Sequence, residues 1–196
     1  MYRQENNEIL WAGRKVHCDF DTFERLGGGY ARDRDHVFFW GWLKERIDVV
    51  SFRYLGGWYG VDKHSVYHNG NRFTKPSPET SEYLEHDFLR DGAQVFVGKK
   101  RIADADGSSF EPLNRNYARD ASNAFYTSKT IKNCDLNSFR VLGDSLELYA
   151  RDTRRVYYCG KIIKGADSQS FVVEGKVGRV TKIIATMTAS RMVSEL

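Results

Sequence analysis

The chain has 196 residues, 14% of them aromatic, and a formal charge of +4 from 30 Lys and Arg against 26 Asp and Glu. That length suits one domain with a sizeable core, and so mild a charge argues against a nucleic-acid binder, which concentrates basic residues far more strongly. Three cysteines, an odd number, argue against a disulfide framework, and no apolar run approaches the roughly 20 residues of a membrane-spanning helix.

Taken in order, the chain repeats one pattern six times. Residues 2–29 introduce it with Tyr2, Glu5, Ile9-Leu10-Trp11, Gly13 and Asp19-x-x-Thr22-Phe23. Residues 30–57 follow with Tyr30, Asp33, Val37-Phe38-Phe39, Gly41 and Asp48-x-x-Ser51-Phe52. Residues 58–85 keep Tyr59, Asp62, Val66-Tyr67-His68 and Gly70 but degrade the second landmark to Glu79-x-x-Glu82-Tyr83, behind Lys75-Pro76-Ser77-Pro78. Two prolines so close exclude a regular ladder there and predict an exposed loop. Residues 86–116 read Phe88, Asp91, Val95-Phe96-Val97, Gly98 and Asp106-x-x-Ser109-Phe110. The fifth unit runs Tyr117, Asp120, Ala124-Phe125-Tyr126, Ser128 and Asp135-x-x-Ser138-Phe139. The sixth runs Tyr149, Asp152, Val156-Tyr157-Tyr158, Gly160 and Asp167-x-x-Ser170-Phe171. The first-landmark acids stand 28, 29, 29, 29 and 32 residues apart.

Each unit has a local chemistry. Tyr-Ala-Arg and Val-Tyr-Tyr are β-branched and aromatic runs of strand length. Between them the Asp carboxylate accepts backbone N–H groups of a turn. The glycine allows a second reversal into a short strand such as Lys161 to Ile163. Asp-x-x-Ser-Phe predicts an N-capped single helical turn that throws the Phe back onto the sheet. The fold class is therefore all-β: six tandem repeats of ~29 residues, each a hairpin or meander closed by one helical turn. Units this short cannot bury their own faces, so residues 2–173 are expected to stack into a single body. Residues 174–196 break the pattern and are assigned to a C-terminal cap, strand-forming from Val177 to Met187, with a short helix from Ala189 to Leu196 as the other reading of its end.

These columns resemble the DKNYY repeat family of bacterial proteins. Asp62-Lys63-His64-Ser65-Val66-Tyr67 matches its signature most closely, and Tyr149 to Phe171 matches its longer pattern. The resemblance covers residues 2 to about 173. It implies a fold recognised by its repeat, without common catalytic residues, in proteins of the cell envelope or in immunity proteins paired with secreted toxins.

Departures from the pattern carry what the sequence says of function. An Asp in nearly every unit serves what every unit needs, a turn, whereas catalysis needs one site with carboxylate pKa values pushed apart. No enzyme is expected. Gly27-Gly28-Gly29 has no Lys-Ser or Lys-Thr behind it and is a junction between units, not a phosphate loop. The five histidines lack metal-ligand spacing, so no metal or other cofactor is expected. Cys18 and Cys134 share a column with Ala105 and Ala166 and behave as small apolar residues. The Arg column, Arg32, Arg90, Arg119 and Arg151, either tracks a phosphate backbone or an acidic partner surface, or neutralises the neighbouring Asp row. Trp40 aligns with Ala12, Asn69, Thr127 and Cys159; Trp42 aligns with Arg14, Asn71, Lys99, Lys129 and Lys161 and should face solvent. That hairpin tip, with Arg46 and Trp58, is the preferred partner site; its rival reading packs the tip beneath the Pro76–Pro78 loop.

Residues 149–196 hold nine basic against four acidic residues, which reads as a solvated terminal face. The expectation is a binding protein without enzymatic activity: a cytoplasmic immunity protein that meets a toxin or effector domain, without nucleic acid or a membrane span. The alternative is an envelope or glycan-binding module, favoured if a leader was trimmed from ahead of Tyr2.

Overall fold

The computed structural model describes residues 1–143, 147–173 and 183–184. Among them every regular element is a short β-strand. The first sheet is a three-stranded meander of Tyr2–Glu5, Glu8–Trp11 and Arg14–Val16. Five four-stranded meanders follow, all antiparallel, and the second is representative: Glu24–Gly27, Tyr30–Arg32, Val37–Phe39, Trp42–Leu43. Its leading strand comes from the tail of the preceding sequence unit. Arg53–Gly56, Ser81–Tyr83, Glu111–Pro112 and Arg140–Val141 play the same part in the next four sheets. In four of the five, the structural repeat thus begins just after the Phe of the second landmark, not at the tyrosine. In the third unit Ser77, whose N–H donates to Asp91 Oδ2 at 3.0 Å, takes the place of the landmark Asp. The landmark there is therefore not Glu79-x-x-Glu82-Tyr83, and the leading strand Ser81–Tyr83 runs through Tyr83. A column that the reading by tyrosines passes over marks these leading segments: Leu26, Leu55, Leu84, Leu113 and Leu142.

The predicted helical turn is not formed. Asp-x-x-Ser-Phe is a hydrogen-bonded turn in which the Asp carboxylate takes the serine for itself. The Ser51 N–H and hydroxyl donate to Asp48 Oδ1 at 2.9 and 2.6 Å. Such side-chain bonds compete with a helical ladder, and one turn alone cannot repay helix nucleation.

The first-landmark Asp does more than close its own turn. Asp62 Oδ1 accepts the N–H groups of His64 and Ser65, both at 2.8 Å. Its Oδ2 accepts the Asp48 N–H at 2.9 Å and the Tyr67 hydroxyl at 2.7 Å. The Lys63 N–H in turn donates to Ser51 Oγ at 3.1 Å. Asp33, Asp120 and Asp152 make the same reach back to Asp19, Asp106 and Asp135. The acid therefore joins the two landmarks across the leading strand.

Within each compact part of the chain, tyrosine hydroxyls lace hairpins to their successors. Tyr30 donates to the Trp58 carbonyl at 3.3 Å and accepts the Gly70 N–H at 2.9 Å. Tyr2 bridges Gly29 and Gly41 in the same way, and Tyr117 bridges Leu148 and Gly160. The glycine column is explained by the same approach. Gly70 has φ +66°, and a Cβ there would stand 2.6 Å from the Phe39 Cβ. The core clusters draw on the same columns, as in Tyr30, Val37, Phe39, Phe52 and Tyr67.

The chain forms two compact units, Met1–Lys100 and Arg101–Leu196, rather than the single stack expected. Two columns change in this part of the sequence: Phe88 stands in the tyrosine column and Ser128 in the glycine column. Of the expected cap, only Ile183–Ile184 is described, paired antiparallel with Val172–Val173. The rest of 174–196, including the helix suggested for 189–196, lies outside the described residues.

Candidate partner-binding surface

The hairpin ends of the Met1–Lys100 unit hold the aromatic departures. Trp40 occupies the turn position that requires positive φ, here +51°, where the neighbouring hairpin uses Asn69 at +54°. Asn adopts this region more readily than a bulky side chain does, so the ring is not there for the sake of the turn. Its indole stacks on Phe39, with centroids 4.8 Å apart and planes at 30°. It also lies over Gly29, where any Cβ would come within 2.4 Å of the ring. The next hairpin reverses the pair. Trp58 takes the place of Gly29, and Asn69 takes the place of Trp40. The two closing bonds match: Trp40 N–H to the Gly29 carbonyl at 2.9 Å, and Asn69 N–H to the Trp58 carbonyl at 3.0 Å. Each hairpin thus carries one indole at its mouth, and the Tyr30 hydroxyl fixes the spacing between the two.

Trp42 sits on the short strand that leaves the turn. Trp42 is 61% exposed, Trp40 44% and Trp58 46%, so the tip does not pack beneath the Pro76–Pro78 loop. That loop itself is only partly exposed, with Pro76 buried. A cation in contact with Trp42 is Arg14, which the sequence pattern marks only as a column counterpart of Trp42. Its guanidinium lies 3.9 Å over the Trp42 ring and donates to the Gly41 carbonyl at 2.9 Å. Arg46 is exposed in the following turn, where its carbonyl accepts the Tyr67 hydroxyl at 3.3 Å. Column alignment held a signal for Arg14, since equivalent positions of successive hairpins are the ones that touch. Near Trp58, His68 Nε2 meets Asp87 Oδ1 at 3.0 Å.

The Arg column belongs to the sheets. Arg32, Arg90 and Arg119 stand directly across from Glu24, Glu82 and Glu111 and pair with them at 3.0, 2.5 and 2.7 Å. The neutralising row is thus the glutamates of the leading strands, not the neighbouring aspartates. Arg151 faces Arg140 instead and donates to the Ser168 carbonyl at 2.6 Å. Within the first unit, Arg32 lies toward the Asp33 turn, at the other end of its strand from Trp40.

Among the described residues, no cluster of His, Cys, Asp and Glu is arranged to hold a metal ion. Burial pushes the Cys18 and Cys134 thiols up, away from thiolate reactivity. No helix among the described residues is long and apolar enough to cross a membrane.

Short four-stranded meanders, joined by buried aspartates and tyrosine hydroxyls, define a class of tandem β-repeat protein. The DKNYY family model matches residues 30–148, and the chain belongs to that family. No curated protein and no solved structure matches it.

Proposed function

We propose that the chain is a non-enzymatic protein-binding protein, an immunity protein that occludes a secreted bacterial toxin in the cytoplasm. The observation that supports this reading is the exposure of Trp40, Trp42 and Trp58 on adjacent, rigidly laced hairpin ends. Exposed tryptophans on a stiff scaffold have little conformational entropy to lose, and tryptophan dominates binding hot spots. Arg14 holds the Trp42 ring from one side, so the ring is ordered before any partner arrives. The chain's mild positive charge suits a toxin with a neutral or acidic contact face better than a basic nuclease, whose inhibitors mimic DNA with acidic surfaces. The same exposed indoles support the alternative, an envelope module that stacks them on sugar rings.

Replacing Trp42 tests the reading. Lysine is what most equivalent positions carry, so Trp42→Lys should change stability by less than ~1 kcal/mol, the lost cation–π contact included. Binding to its cognate toxin should weaken by ~2 kcal/mol or more, and protection of toxin-producing cells should fall. A variant that folds and still binds and protects fully would remove the tryptophans from the contact. Saturable binding to purified cell-wall glycan, lost in the same variant, would favour the envelope module.

A further inference from the structure

Near the start of each leading strand one residue stands directly across from the Arg column, and the two side chains share a face of the sheet. The pairs are Glu24–Arg32, Arg53–Val61, Glu82–Arg90, Glu111–Arg119 and Arg140–Arg151. Three of them are ion pairs. The last sets two positive charges side by side, which destabilises a strand pair. Folding does not require it, since the same place elsewhere holds glutamate.

Neither Arg140 nor Arg151 forms an ion pair among the described residues. Arg151 is half-buried, and its Nη1 donates only to neutral carbonyls, that of Ser168 at 2.6 Å and that of Gln169 at 3.5 Å. Its buried Nε has no acceptor among the described residues. Such a donor on a charged group is costly to leave unmet. Arg140 is exposed beside it, and both line a groove of about 260 Å³ with Asp152, Thr153 and Gln169. Asp152 does not neutralise them. Its carboxylate is taken up by the N–H groups of Asp135, Arg154 and Arg155 and by the Tyr157 hydroxyl.

The sheet led by Arg53–Gly56 has a matching groove, also of about 260 Å³, lined by Ser51, Arg53, Asp62, Lys63, Pro78 and Glu79. Arg53 takes the place of Arg140 in the repeat, but Val61 takes that of Arg151 and Glu79 that of Gln169. Lys63 is paired with Asp48 at 3.0 Å. That groove carries its own carboxylate, Glu79. The later one exchanges it for an amide and gains a second arginine.

We propose that Arg140 and Arg151 form a binding site for a phosphate-type oxyanion, free or as a monoester. Such a group carries about −1.5 to −2 charges and several strong acceptor oxygens, enough for both guanidinium groups. A carboxylate would leave one arginine unmatched. The Arg151 fork offers parallel donors to a tetrahedral oxyanion, and the Ser168 carbonyl holds that fork in place before the anion arrives. Gln169 adds an amide donor where a glutamate would repel the ligand.

The test titrates the full chain with inorganic phosphate at fixed ionic strength. Saturable binding is expected, with the Arg151 Nε–H signal shifting in the NMR spectrum and the melting temperature rising. Acetate should bind about tenfold more weakly or worse. Glycerol phosphate separates the sources: binding as tight as phosphate assigns the site to monoesters, and refusal assigns it to the free anion. Arg140→Glu restores the pair that three other sheets use. It should raise the melting temperature without phosphate and weaken phosphate binding about tenfold or more. Arg53→Glu, in the matching groove, should leave phosphate binding unchanged. The proposal is overturned by stabilisation that chloride reproduces at the same ionic strength, by an unmoved Arg151 signal, by acetate binding as tightly, or by full binding in Arg140→Glu.

Discussion

At Asp62, one carboxylate carries four hydrogen bonds: from the N–H groups of Asp48, His64 and Ser65, and from the Tyr67 hydroxyl. Burial pushes its pKa up, yet these donors together outweigh burial and hold it below the ordinary carboxylate value. Asp33 and Asp152 are held low by the same balance. A folded value below the unfolded one, near ~3.9, means stability that is complete above that pH. It is lost as pH falls through the lower, folded value. The urea midpoint should therefore stay level from pH 7 to about 5 and drop below about 4. Asp62→Asn turns one acceptor into a donor that faces another donor, and should cost about 2–3 kcal/mol at pH 7 while flattening that acid slope. An unchanged slope would place the acid sensitivity elsewhere. The residue type was legible as a turn former, because its Oδ1 bonds are local. Its reach to Asp48 was not, because that bond spans a strand whose pairing no single residue announces.

At the scale of the hairpin, the glycine column does two jobs that substitution can separate. Gly70 needs positive φ and also admits Phe39, whereas a Cβ added at Gly13, where φ is +80°, would meet nothing within 4 Å. Gly13→Ala should cost only the backbone term, ~1–2 kcal/mol. Gly70→Ala adds a clash with a buried ring and should cost about 3 kcal/mol or more by denaturant unfolding. Equal costs would mean that close packing between hairpins is not what the column protects. The same packing has an alkaline signature. Burial raises the Tyr2 pKa to about 12 and lifts Tyr30 and Tyr59 further. Stability from these hydroxyls is thus full below about pH 10, the unfolded value, and is lost as pH rises toward the folded ones. The strand period and the solvent-facing position of Trp42 were legible from side-chain columns. The leading strand was missed, because a repeat counted from its tyrosine hides a segment that belongs to the following sheet.

For the whole molecule, the division at Lys100 predicts how the chain melts. Phe139 is buried among Tyr117, Ala124, Ile131 and Tyr157, so Phe139→Ala should cost ~3–5 kcal/mol in the Arg101–Leu196 unit. All four tryptophans, Trp11, Trp40, Trp42 and Trp58, lie in Met1–Lys100. Tryptophan fluorescence should therefore report an unchanged transition while circular dichroism shows an earlier one. A fluorescence midpoint that falls in step with the circular dichroism would restore the single cooperative body that the repeat suggested.

What the sequence determined by itself was whatever depends on near neighbours. Period-two alternation, the Asp and Gly turns and the aromatic columns are set within a few residues, and they specified an all-β repeat of the DKNYY type. Repetition also exposed Trp40 and Trp42 as exceptions, since a column defines what folding alone requires. The tertiary structure decided what depends on pairing across sequence distance: the leading strands, Arg14 on Trp42 and the division after Lys100. Each of these balances loop closure against burial between segments some ten to thirty residues apart. Local pattern is silent on that balance because the same strand-forming run serves equally well at a sheet's centre or at its edge.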